Sequence, residues 1–295
     1  MIELQPEVQW PLYTIRRYTE QIYKVVKFKG LRNGDFIIDH SKDEHSETKL
    51  DPTYSRAKST ILELALCNPW QYFFTGTFNP EWYDRKNLQE LNKVLSQWFR
   101  DIRKKYKCDM PFLLIPELHP KDKQSWHFHG LLGDIPPEHL HDFDPAIHPL
   151  KLCNKGYKWW DDFAKKFGHC SLSKIKNPVA CGFYMTKYIT KDLSGRAFDI
   201  GKHLYYASQN LNRSIPWAET ISHSAELDRL LTEKYEFCEV GYSKLSDGLD
   251  WTFGLDGLYE LLPLFEPIDK EDVPQDVPND DLIENEFEQL YFPAG

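Results

Sequence analysis

The sequence predicts an α+β fold. Two aromatic and β-branched runs, Gln71-Tyr72-Phe73-Phe74-Thr75-Gly76-Thr77-Phe78 and Trp126-His127-Phe128-His129-Gly130-Leu131-Leu132, read as buried strands. Between and around them, apolar residues recur at helical spacing. Asn-Pro dipeptides at 68–69, 79–80 and 177–178 mark the changes from one pattern to the other.

Taken in order, residues 12 to 30 hold alternating stretches such as Tyr23-Lys24-Val25-Val26-Lys27-Phe28, a strand ended by Gly30. Residues 40 to 49 are polar and charged, hence a loop. Ile61, Leu62, Leu64, Ala65 and Leu66 predict a helix over 54–67, stopped by Asn68-Pro69. After the strand at 71–78, Leu88, Leu91, Val94, Leu95, Trp98, Phe99 and Ile102 predict an amphipathic helix over 85–106. Phe112 to Glu117 is a strand in which Pro116 implies an edge or an irregularity. A polar loop at 118–125 joins it to 126–132 as a long hairpin, which brings Glu117 near His127. Irregular basic and aromatic residues follow, then a strand at 168–175. Asn177 and Pro178 suit the N-cap and first position of a helix over 179–192. His203 to Ser208 returns to the sheet, and 224–236 reads as a short helix.

Composition narrows the class. Apolar residues make up 41% and aromatics 15%, as in a folded soluble protein. No apolar run reaches the ~20 residues of a membrane span, and Met-Ile-Glu-Leu-Gln-Pro does not resemble a signal peptide, so the expected location is the cytoplasm. The six cysteines form no C-x-x-C pair and read as reduced and structural, Cys181 included. Net charge is -9, but the segment Glu266–Glu288 holds ten acids against Lys270 alone and carries that whole excess. With Pro267, Pro274 and Pro278 inside it, 266–295 is expected to be an acidic, poorly ordered tail. Local basic runs at Arg100, Arg103, Lys104, Lys105 and Lys107, and at Lys165, Lys166, Lys174 and Lys176, are candidates for phosphate contact.

Two motifs carry chemistry. Two-residue periodicity puts His127 and His129 on one face of their strand, where two imidazoles and Glu117 can hold a divalent ion. Helical spacing puts Tyr184, Lys187, Tyr188 and Lys191 on one stripe. A phenol with an ordinary pKa of about 10 needs a cation or base to attack at neutral pH, and the lysines are placed to help. His119 reads as a loop histidine or an outer-shell group. Thr75 and Thr77 read as supports of the sheet beside the site.

The strand Phe73–Asn79, the pair His127-Phe128-His129 and the run Tyr184–Lys191 match, in order, the three motifs of rolling-circle replication initiators of the HUH endonuclease superfamily. The resemblance covers roughly residues 55 to 210. It implies a central antiparallel sheet flanked by helices, a Mg²⁺ or Mn²⁺ cofactor on Glu117, His127 and His129, and nicking of single-stranded DNA at a replication origin through a 5′-phosphotyrosine. The Tyr-x-x-Lys-Tyr-x-x-Lys form resembles two-tyrosine initiators of small phages. Comparison with related plasmid initiators favours Tyr188 as first nucleophile and Tyr184 as partner. On this reading 1–50 is a strand-rich extension, 51–215 the nuclease domain, 216–265 an extension packed on it and 266–295 the tail. No Walker-type glycine loop is present, so helicase and polymerase would come from the host. A zinc hydrolase, a transposase or relaxase of the same chemistry, and a catalytically silent DNA-binding repressor remain as alternatives.

Overall fold

In the computed structural model, residues 12–28, 52–119, 123–188, 204–220, 224–235, 238–245 and 265–267 are described. They form two antiparallel sheets with several helices, as the α+β reading expected. The chain divides into two units, residues 1–49 with 213–273 and residues 50–212 with 274–295.

In the first unit, β1 (Tyr13–Arg17) and β2 (Ile22–Phe28) pair with each other and with strands Ile215–Thr220 and Cys238–Leu245 from the far end of the sequence. Alternation places Tyr13, Ile15, Tyr23 and Val25 in one apolar cluster with Leu227 and Leu230. The helix expected over 224–236 is only Ala225–Asp228. It stops because Thr232 donates its backbone N–H to Val240, which commits the chain to the sheet and the short strand Glu233–Lys234. Asp228 is anchored by Lys27 and by the Tyr13 hydroxyl, each 2.7 Å from Oδ1. Residues 40–49 and the acidic segment lie outside the described residues, apart from Glu266 and Pro267. These two pair with Lys244 and Ser243.

The second unit begins with α1 (Pro52–Cys67), β3 (Tyr72–Phe78) and α2 (Leu88–Tyr106). It continues through β4 (Phe112–Leu118), β5 (Trp126–Leu132), β6 (Leu140–Asp142), α3 (Leu150–Lys155) and β7 (Lys158–Trp160). It ends with α4 (Asp161–Phe167), β8 (Gly168–Lys174), α5 (Pro178–Met185) and β9 (Tyr206–Ala207). The strand order is β6-β7-β8-β3-β5-β4-β9. Elements β6 to α4 fall in the stretch whose sequence looks irregular, because pieces this short do not complete a readable period.

Local chemistry sets the helix ends. The Asn87 side chain accepts the Glu90 N–H at 3.2 Å to start α2, and Lys107 ends it in the left-handed region at φ 55°. Asn177 accepts the Ala180 N–H at 3.0 Å, with Pro178 at the first position of α5. Pro116 is tolerated because Phe112, of the same two-residue parity, turns its backbone toward Ser208, while β9 pairs only with Leu113 and Leu114.

The faces of the sheet differ. Phe74, Gly76, Phe78 and Phe128 look toward α2 and α4, with Phe74 5.1 Å from Phe163, Phe78 5.1 Å from Phe167 and Trp98 5.5 Å from Phe163 between ring centroids. Gly76 is small by necessity, since a Cβ there would lie 2.8 Å from the Phe163 ring. The opposite face carries Phe73, Thr75, Thr77, His127 and His129, with Phe73 packed against Tyr184 and Tyr188 of the α5 segment.

Candidate active site

Antiparallel register builds the site. Glu117 on β4 lies opposite His127 on β5, and His127 lies opposite Thr77 on β3. One pair along, Thr75 lies opposite His129. Directly opposed residues share a face, so these side chains converge. His127 and His129 are fully buried, and the Glu117 side chain keeps 26% exposure. Oε2 of Glu117 lies 2.9 Å from His129 Nε2 and 3.4 Å from His127 Nε2. Burial alone would raise the Glu117 carboxyl. Hydrogen bonds from both imidazoles outweigh that and hold it well below the usual carboxylate range.

These three donors, one per residue, all lie within 4.8 Å of one another and could hold a metal ion. Two imidazole nitrogens and a carboxylate oxygen also suit a divalent ion chemically. Among the described residues this is the group with that property.

The tyrosine segment lies over this group. Tyr188 is 1% exposed and stacks on His129, with centroids 4.0 Å apart and planes 17° from parallel. Tyr184 is half-buried, its ring 5.4 Å from that of Tyr188 and nearly perpendicular to it. Lys187 donates to the Tyr184 hydroxyl, and its ammonium lies 3.9 Å from the Tyr184 ring centroid and 5.0 Å from that of Tyr188. Lys191 lies outside the described residues. The α-helix expected over 179–192 ends earlier, at Met185, and Thr186–Tyr188 tightens to a 3-10 turn. Thr186 contributes by donating its hydroxyl to the Phe183 carbonyl at 2.7 Å.

Phe73, His169 and Ser171 were not singled out from the sequence as part of this surface. Phe73 brackets both tyrosines, at 5.7 Å from Tyr184 and 6.1 Å from Tyr188. His169 and Ser171 of β8 lie opposite Thr77 and Thr75 and extend the polar face. Alternation within 168–175 was the available signal, but it needs the register with β3. His119 is buried, its ring 5.5 Å from that of His127. Cys181 is packed in the core, and all six cysteines are unbridged.

The basic run at the end of α2 is not beside the site. Arg103 donates to the Met110 carbonyl, at the end of β4 away from Glu117, and Lys105 pairs with Asp162. Lys165 is engaged with Asp161 at 3.0 Å.

Residues 71–193 match the model of a family of replication-associated proteins. The matched stretch runs from the residue before β3 past Tyr188, and so contains the Glu117, His127 and His129 group, both tyrosines and Lys187. This match supports a role in DNA replication with DNA as a partner, and it is consistent with a rolling-circle replication initiator. No curated protein and no solved structure matches the chain. Among the described residues no helix is long and apolar enough to cross a membrane.

Proposed function

We propose that this protein is a metal-dependent, site-specific endonuclease and strand transferase of HUH type that nicks and rejoins single-stranded DNA to start and end rolling-circle replication of a phage or plasmid. The observation that carries this reading is the stack of Tyr188 on His129, which brings a phenol against the side chain of an expected metal ligand. A plain zinc hydrolase would have no use for that arrangement.

The chain's residues divide the work. Glu117, His127 and His129 would hold Mg²⁺ or Mn²⁺, which when bound withdraws charge from the scissile phosphate. A tyrosine oxygen, from Tyr184 or Tyr188, attacks the phosphorus. The bond to the 3′ oxygen breaks, that oxygen takes up a proton in place of the one the phenol gives up, and a 5′-phosphotyrosine and a free 3′ hydroxyl result. Lys187, with its ammonium at the Tyr184 hydroxyl, stabilises the negative charge that develops on the phenol. Lys191 has the same role in the proposal. Rejoining reverses the step when a 3′ hydroxyl attacks the phosphotyrosine and the phenol leaves. Two tyrosines allow one to hold a strand while the other cuts.

In this reading residues 51–215 are the nuclease domain, flanked by the 1–50 and 216–265 extensions and the acidic tail. Unwinding and synthesis fall to host helicase and polymerase in a bacterial cytoplasm.

The test is incubation of the full chain with a pool of single-stranded oligonucleotides and Mn²⁺ or Mg²⁺, scoring denaturant-resistant protein-DNA adducts. Adducts lost in EDTA and in the Tyr184→Phe/Tyr188→Phe double variant are expected. Binding of DNA without any adduct would overturn the nuclease reading in favour of a silent DNA-binding protein.

A further inference from the structure

In the sheet of the second unit, one ladder pair has a chemistry that neither motif explains. Thr75 stands directly opposite His129, 1% exposed, with Oγ1 3.2 Å from His129 Nδ1. On the far edge of the same ring, Nε2 lies 2.9 Å from Glu117 Oε2. The imidazole is thus held between two oxygens of different character. An ionised carboxylate can only accept a hydrogen bond, whereas a hydroxyl can donate or accept.

A neutral imidazole carries one N–H, and which nitrogen bears it decides whether Nε2 can be a metal ligand. Without a cation, the ring can carry its hydrogen on Nε2, which faces Glu117 Oε2 at 2.9 Å, while Nδ1 accepts from the Thr75 hydroxyl. A cation at Nε2 requires the lone pair there, so the hydrogen must sit on Nδ1 and needs an acceptor. Thr75 Oγ1 is that acceptor. Between the two placements the hydrogen has passed from Nε2 to Nδ1, the ring has stayed neutral, and no proton has been lost.

We propose that Thr75 is the positioning residue of His129, a hydroxyl that hydrogen-bonds Nδ1 in both hydrogen placements and so lets Nε2 pass from Glu117 to a cation without a change of ring orientation. The position favours this role. Thr75 sits on β3 between β8 and β5, where pairing on both sides fixes the backbone, and a β-branched side chain has few rotamers to choose from. Tyr188 covers the ring face, so the orientation is limited from a third direction. The inference rests on the metal-site reading above.

The test uses the full chain without DNA. Mn²⁺ binding is measured by titration calorimetry for wild type, Thr75→Val and Thr75→Ser, and histidine side-chain ¹⁵N NMR is recorded metal-free and with diamagnetic Zn²⁺. Valine keeps the shape and removes the hydroxyl, and serine restores it. We expect Thr75→Val to weaken Mn²⁺ binding about 10- to 100-fold, the usual loss for an outer-shell partner, with Thr75→Ser close to wild type. In wild type, His129 should change from Nε2–H to Nδ1–H when Zn²⁺ is added. Wild-type affinity in Thr75→Val would overturn the role of Thr75 and leave the metal site standing. So would an Nδ1–H signal already present in the metal-free wild type, a readout that does not depend on any variant folding. Failure of the wild type itself to bind Mn²⁺ would remove the metal reading and this inference together.

Discussion

The ring of Tyr188 lies flat on that of His129, 4.0 Å between centroids. A buried aromatic here is both a wall of the core and a cover for the imidazole. Tyr188→Phe keeps the ring and should leave unfolding free energy within about 1 kcal/mol of wild type, whereas Tyr188→Ala should cost about 3–5 kcal/mol. Chemical denaturation of both variants measures this. Equal losses would mean that the hydroxyl, not the ring, holds the segment in place.

Glu117 contributes the only carboxylate of the candidate metal group. Glu117→Gln preserves shape but removes the charge, so Mn²⁺ affinity should drop at least 10-fold and adduct formation should disappear with it. Calorimetry and gel assays on one preparation check the pair of effects. An adduct that persists without metal binding would detach the chemistry from the ion.

Lys187 is exposed and contacts both phenols, so its removal should affect rate more than fold. Lys187→Met is expected to slow phosphotyrosine formation about 100-fold, the usual loss for a group that stabilises developing charge. Mn²⁺ affinity should not change. Single-turnover kinetics with a preferred oligonucleotide measures the first, calorimetry the second.

Gly168 joins α4 to β8 with no intervening loop, at φ 131°, and a Cβ there would stand 2.7 Å from the Asn79 nitrogen and 2.9 Å from the Thr77 oxygen. Gly168→Ala therefore meets both backbone strain and a steric clash, and should lower stability by about 1–3 kcal/mol. Because Thr77 neighbours His127 in the ladder, it should also disturb metal binding. A neutral outcome in thermal melting would show that the α4–β8 junction can shift.

Asp162 gives a pH-dependent prediction. Partial burial would raise its carboxyl, but hydrogen bonds from Lys105 and from the Tyr106 hydroxyl prevail and hold it below the ordinary value. A depressed folded pKa means stabilisation present above the unfolded value of about 3.9 and lost as pH falls through the lower folded value. Wild type should exceed Asp162→Asn by about 1 kcal/mol at pH 7, chiefly through the Tyr106 bond at 2.6 Å, since Lys105 is more than half exposed and its charge is screened. The gap should close as pH falls below the unfolded value of about 3.9 and through the lower folded value. Denaturation midpoints at several pH values test both halves.

Much of this architecture was legible in the residues. The strands around Thr75 and His127 are aromatic and β-branched runs, the first ended by Asn79-Pro80. The polar connection at 118–125 made the nearness of Glu117 and His127 readable from the sequence, while their direct opposition is fixed by the register of β4 against β5. Asn87 was missed as a cap, while Asn177 with Pro178 was found because the dipeptide is an unusually direct signal. Contacts that join distant strands and helices were not readable. The Thr75–His129 pair depends on the register of β3 against β5, and the Tyr188 stack depends on how the α5 segment packs on the sheet. The 3-10 turn at Thr186–Tyr188 is helped by a side-chain hydroxyl, that of Thr186, which a helical periodicity cannot register.

β1 and β2 find two of their partners only in Ile215–Thr220 and Cys238–Leu245, while every strand around the metal group lies between Tyr72 and Ala207. During synthesis the ribosome therefore releases all the strands of the second unit's sheet before the first unit can close. Until the last strands emerge, the N-terminal hairpin waits with both edges open, a state prone to pairing with other chains. A premature stop shortly after residue 210 would leave Glu117, His127, His129, Tyr184 and Tyr188 encoded and intact yet yield a protein inclined to aggregate, so loss of function from such an allele would be a failure of solubility before it was one of chemistry.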